Sequence, residues 1–231
     1  MAGIQAADGF TAPLTPEPNG RGKRGIRPCR EKRIPYRESM NRRIDCIIPA
    51  AGRSSRMGKW KPMLPFRNGT IVEQCVRNAL GGNCRIILVA GFRAEELQRA
   101  FQSGPDIRLV TNEFYDRGMV SSIFAGMRCV ESDRFFVAHA DMPLIPPSVY
   151  IELARKISRH ILFPGFLGKT GHPVLIPSRL IPQILRHDGA PDLKSVLRKF
   201  PCETVPVQSG GIHTDIDTMP QYRRLLAECR E

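Results

Sequence analysis

The chain has 231 residues, enough for one domain with an appendage, and its 42% hydrophobic and 25% charged residues suit a globular protein with a buried core. No run approaches the roughly 18 consecutive apolar residues of a membrane helix, so no membrane partner is expected. The net charge of +13 is the unusual bulk property, yet no stripe of Lys/Arg with interleaved aromatics accompanies it; nucleic acid is not the expected partner, and anionic small substrates account for the charge equally well.

Residues 1–39 are rich in Pro, Gly and Arg and show no sustained apolar period. Such a segment cannot bury enough surface to offset its ordering entropy, so it reads as a tail, disordered or preceding a true start at Met40, with the domain over 40–231. Seven scattered cysteines, odd in number and never in a Cys-x-x-Cys pair, argue against disulfides or structural zinc and for a reducing, cytoplasmic setting. From Ile44 strands and helices alternate. Short β-branched runs at Ile44–Pro49, Arg85–Ala90, Ile107–Thr111 and Arg134–His139 are separated by helical patterns at Ile71–Leu80 (Thr70 as N-cap), Ala94–Phe101, Val120–Cys129 and Pro147–Ser158. A strand at Ile161–Pro164, a loop over Gly165–Gly171 and a strand at Val174–Ile176 suggest an antiparallel excursion. Helices around Arg179–Leu185 and Asp192–Lys199, a strand at Thr204–Val207 and a helix from Gln221 complete the chain. This order predicts an α/β fold: a Rossmann-like three-layer domain with a mostly parallel central sheet and a small antiparallel excursion.

Five segments carry candidate chemistry. The first strand runs into Ala50-Ala51-Gly52-Arg53-Ser54-Ser55-Arg56-Met57-Gly58-Lys59-Trp60-Lys61, where small residues let backbone approach a ligand and four cations can offset a triphosphate. Taken alone, it could equally be a solvated connection. Asn112-x-x-Tyr115-x-x-Gly118-Met119-Val120-Ser121-Ser122 opens a helix with free N–H groups and hydroxyls, the pattern of a ligand site or of an ordinary capped helix. Asp141 emerges from the carboxyl end of a buried strand in His139-Ala140-Asp141-Met142-Pro143, where open sheets bind ligands and a hard oxygen could hold Mg²⁺. Asp215 and Asp217, at alternate positions of an extended segment, could face one cation or cap the final helix. Lys169 and Gly171-His172-Pro173 lie on the excursion.

The run Ala-Ala-Gly-x-Ser-x-Arg-Met-Gly-x-x-Lys, followed in order by the other motifs through Tyr222, resembles the MobA-like NTP transferase family, in particular its molybdenum-cofactor cytidylyltransferase-like branch. The resemblance implies that Arg56 and Lys61 contact the triphosphate. It places Ala50, Ala51, Gly52, Arg53, Ser54, Gly118 and Ser122 at the nucleotide. It makes Asp141, Asp217 and secondarily Asp215 ligands of Mg²⁺, and puts His172 and Lys169 at a phosphorylated acceptor of the molybdopterin type. The implied reaction moves CMP from CTP to that acceptor, with a molybdenum hydroxylase as a further partner; the alternative is a non-catalytic carrier of the finished cofactor. Ala51, where guanylyl-transferring members resemble Gly, is expected to narrow the cleft beside the base. Two departures stand out: Met219-Pro220 replaces Pro and an acid, and Pro191-Asp192 follows Gly189-Ala190 where a basic residue is usual.

Overall fold

The computed structural model describes residues 43–101 and 105–228, the side chain of Arg56 excepted, so the tail over 1–39 lies outside the described residues. In chain order the elements are β1 (Ile44–Pro49), β2 (Pro65–Phe66), β3 (Gly69–Thr70), α1 (Ile71–Gly81), β4 (Cys84–Ala90), α2 (Ala94–Ala100), β5 (Ile107–Thr111), α3 (Met119–Met127), β6 (Arg134–Val137) and α4 (Pro147–Arg155). There follow β7 (Ile161–Phe166), β8 (Lys169–Thr170), β9 (Val174–Pro177), α5 (Ile181–Ile184), α6 (Leu193–Leu197), β10 (Cys202–Pro206) and α7 (Met219–Glu228).

The main sheet has the order β10-β7-β9-β6-β1-β4-β5, with β8 paired to β7. β6, β1, β4 and β5 run parallel to one another, as β10 does to β7, whereas β9 runs antiparallel to β6 and β7. The predicted excursion is therefore β8 and β9. Gly165–Gly171 is not a plain loop, however: β7 extends to Phe166 and returns through the two-residue turn Leu167-Gly168 into β8. Two further short elements escaped the sequence pattern, the β2–β3 hairpin and the splitting of 178–187 into a four-residue helix between two 3-10 turns.

Alternation along β1 sends Cys46 and Ile48 to one face and Ile47 to the other, each fully buried. Cys46, Ile48, Ile86, Leu88 and Phe136 pack against α1, α2 and α4 through Val72, Val76, Leu97 and Tyr150. Ile47, Ile87, Val89, Phe135 and Val137 pack against α3, α5 and α6 through Ile123, Phe124, Ile184 and Val196. These are the three layers the strand–helix alternation implies. α1 starts in a full capping box: the Thr70 Oγ1 accepts from the Glu73 N–H at 3.3 Å, and the Glu73 carboxylate accepts from the Thr70 N–H at 2.7 Å. A third, smaller cluster joins Leu64, Phe66 and Ile71 to Ile216, Tyr222 and Leu225 of the C-terminal segment.

Candidate active site

The strand order reverses at β1: the chain winds outward through β4 and β5, then returns to β6 on the other side of β1. Loops leaving the carboxyl ends of β1 and β6 part there, and open α/β sheets form their ligand crevices at such a reversal. The loop after β1 is pinned from within. The Trp60 Nε1–H donates to the Gly52 carbonyl at 3.1 Å, the Lys61 N–H donates to Ser54 Oγ at 3.1 Å, and Trp60, 6% exposed, sits edge-on to Phe92. Ala50, Gly52, Ser54 and Lys61 then line a cleft of about 220 Å³ with Asp141 and Asp217. Arg56 falls in the 3-10 turn Ser55–Met57; its side chain lies outside the described residues.

The two carboxylates come from segments 76 positions apart in sequence and are brought together by named contacts. The loop carrying Asp141 is tied to α1, where the Asn78 side-chain amide donates to the Pro143 carbonyl at 2.8 Å. The Ile216 N–H donates to the Asp141 carbonyl at 3.0 Å while its side chain, 1% exposed, anchors the third cluster. Asp217 follows directly, and Thr218, not Asp217, caps α7 by accepting from the Gln221 N–H. Between the carboxylates stands Lys61: its Nζ donates to Asp141 Oδ2 at 2.7 Å and to Asp217 Oδ1 at 3.0 Å. Burial works to lower the Lys61 pKa, but the Asp141 and Asp217 carboxylates outweigh it and raise it above the ordinary value. Asp141 Oδ1 is buried and accepts no hydrogen bond. Among the described residues no group of three or more His, Cys, Asp or Glu gathers to hold a metal unaided.

A second cleft of about 600 Å³ adjoins the first, and Met119 and His139 line both. Its walls are largely apolar, including Ile123, Val174, Leu193 and Ile212, with Lys169, His172 and Asp215 among them. Asp215 thus lines this cleft, while Asp217 faces Lys61; their alternate positions do not put both carboxylates on one cation contact. A Cβ on Gly171 would run into the Ile212 carbonyl, so only glycine lets the His172 backbone approach and donate to that carbonyl at 3.1 Å. The His139 and His172 rings lie against each other with centroids 3.9 Å apart. Burial, reinforced by the facing His139, takes the His172 pKa down to about 3, and its Nδ1 is buried without a partner. Lys194 also lines this cleft, supplying from α6 a cation absent directly after Gly189-Ala190. Sequence reading passed over Lys194; its place two residues after the Asp192 N-cap was the available signal.

Other predicted nucleotide residues lie differently. Ser122 is 2% exposed and its hydroxyl accepts from the Asn112 side-chain amide at 3.0 Å, turned into the fold rather than toward the cleft. Gly118 is exposed at the start of α3. Arg53 lies over the Phe92 and Tyr115 rings at 5.5 Å from each centroid. Ala51 is 3% exposed, and a Cβ on Gly91 would come 2.7 Å from its methyl. The Ala51 methyl therefore abuts Gly91 and does not line the cleft, where it was expected beside the base.

Residues 46–205 match the family described as the MobA-like NTP transferase domain. The chain is 34% identical over 179 residues to the molybdenum cofactor cytidylyltransferase of Escherichia coli (strain K12), covering 78% of this chain and 93% of that protein. It is 27% identical over 199 residues to the nicotine blue oxidoreductase of Paenarthrobacter nicotinovorans, covering 78% and 95%. The fold matches that of Rv0371c from Mycobacterium tuberculosis H37Rv at 22% identity with a TM-score of 0.70, over 80% of this chain and 98% of that one. That protein's complex with manganese superposes with a TM-score of 0.65 at 21% identity, over 80% and 98%. By its matched segment and its identity to a cytidylyltransferase over most of both chains, the chain belongs to the MobA-like NTP transferase family and is a nucleotidyltransferase.

Proposed function

We infer that the chain transfers CMP from CTP to a phosphorylated acceptor of the molybdopterin type, in the cytoplasm, for delivery to a molybdenum hydroxylase. The observation that carries this reading is the convergence of Asp141 and Asp217 at the carboxyl edge of the sheet, with Asp141 Oδ1 buried and accepting no hydrogen bond. An orphaned carboxylate oxygen beside a phosphate-sized cleft suits Mg²⁺, which takes one or two carboxylates and completes its shell with substrate phosphates and water. Asp141 and Asp217 would hold it, and when bound it supplies charge neutralisation at the triphosphate oxygens. Asp215 is the weaker candidate because it lines the neighbouring cleft.

The protein's own part is positioning and charge. Ala50, Gly52 and Lys61 border the nucleotide cleft, and Lys61, with Arg56 by the family resemblance, offsets charge that grows on the leaving group. Lys169, Lys194 and His172 border the acceptor. His172, held neutral, orients the acceptor without adding charge. An acceptor phosphate oxygen attacks the α-phosphorus, the bond from that phosphorus to the bridging α–β oxygen breaks, and pyrophosphate leaves. No side-chain nucleophile is needed, because the acceptor is already anionic.

The test compares kcat/KM for CTP, GTP and ATP with Mg²⁺ and a molybdopterin-type acceptor, following pyrophosphate release. The likeness to a cytidylyltransferase over most of both chains supports a lead for CTP. Equal values, or a lead for GTP, would overturn the cytidylyl assignment. Absence of pyrophosphate release with every nucleotide would overturn the acceptor.

A further inference from the structure

We propose that Lys61 is a resident counter-ion that keeps the divalent metal out of the site until the nucleotide arrives, so that metal and nucleotide load together. The inference rests on Asp141 and Asp217 as metal ligands and concerns what occupies the space between them beforehand. In this chain the Lys61 ammonium stands there, 2.7 Å from one carboxylate and 3.0 Å from the other. Its backbone cannot drift, since its N–H is bonded to Ser54 Oγ and the preceding Trp60 indole is bonded to Gly52. Only the four-carbon side chain is left to move.

The charge count sets the order of events. The Lys61 ammonium offsets one of the two negative charges that Asp141 and Asp217 bring to the cleft. A dication entering alone must displace the ammonium, which then stands beside it, because Asp141 and Asp217 are the only acidic side chains lining that cleft among the described residues. A triphosphate changes this: its oxygens receive the displaced ammonium and complete the metal shell at the same time. Each ligand therefore strengthens the other's binding, and such coupling is reciprocal, typically 5- to 150-fold. On this reading Lys61 acts twice from one anchored backbone position, holding the carboxylates apart from each other's repulsion before binding and neutralising phosphate afterwards.

The experiment titrates the full chain with Mn²⁺ and reads the free ion by electron paramagnetic resonance, with and without CTP. In the wild type, Mn²⁺ alone is expected to bind weakly and CTP to tighten it. Lys61→Met removes the resident cation, so Mn²⁺ alone should bind at least about 10-fold tighter than to the wild type, with the CTP enhancement reduced to match. Lys61→Gln, which can still hydrogen-bond to the carboxylates, should behave like the methionine variant, and Lys61→Arg, which keeps the charge, like the wild type. Circular dichroism melts of each variant exclude unfolding as the cause. Unchanged or weaker Mn²⁺ binding by both folded neutral variants overturns the proposal and leaves the metal reading intact. Failure of the wild type to hold Mn²⁺ even with CTP overturns the metal reading and the proposal with it.

Discussion

Asp141 divides its carboxylate between two conditions, one oxygen on Lys61 and the other buried with no hydrogen bond. Asparagine has nearly the same volume but is a poorer ligand for a hard cation. Asp141→Asn is therefore expected to lower pyrophosphate release by about 100-fold or more, the scale on which a lost electrostatic contact acts, while its thermal melt stays near that of the wild type. Near-normal turnover in the folded variant would remove Asp141 from the metal site. Lys61, Asp141 and His172 could be singled out from sequence because they sit in ordered motifs, and the fold does bring them to adjoining clefts. Ser122, expected at the nucleotide, turns instead into the fold. A serine pair at a helix start looks the same whether its hydroxyls face a ligand or a buried amide, and here the decision lies with Asn112, ten positions upstream. Arg53 is comparable: its stacking on Phe92 depends on where the loop after β4 runs, which no local spacing encodes.

At the scale of elements, α7 is what delivers Asp217. The Tyr222 hydroxyl donates to the Pro65 carbonyl at 2.5 Å and so binds α7 to the β2–β3 hairpin. Tyr222→Phe keeps the ring in its cluster and deletes only that bond, so it should cost about 1 kcal/mol in urea unfolding. An unchanged midpoint would mean the bond contributes nothing. The main strands and helices were legible because their periods run over enough residues: β5 begins and ends where its β-branched run does, and α1 begins at the Thr70 cap. The β2–β3 hairpin was not, since two-residue strands carry no period. Nor was the break-up of 178–187, where Pro182 near a helix start permits one short turn of α-helix and the flanking residues tighten into 3-10 geometry.

At the scale of the whole molecule, two partly buried imidazoles make stability depend on pH. Burial lowers the pKa of both His139 and His172, the latter from 6.5 to about 3. The unfolded chain then binds more protons than the folded one below pH 6.5, so stability rises with pH through that window and is lost as pH falls. The melting temperature should drop as pH is lowered from 6.5, and less steeply in His172→Gln; parallel curves would show that His172 does not contribute. The residues Met40–Glu231 gather into one compact unit. A chain beginning at Met40 is accordingly expected to fold and bind CTP, whereas loss of soluble expression would give residues 1–39 a structural role. The bond from the Ile216 N–H to the Asp141 carbonyl makes the two halves of the site depend on each other. Asp217 follows every strand of the sheet in chain order, so a chain cut after β10 would keep all the strands yet lose both its second carboxylate and the bond that ties down Asp141. Shortening from the C-terminal end is thus expected to cost the metal site before it costs the sheet.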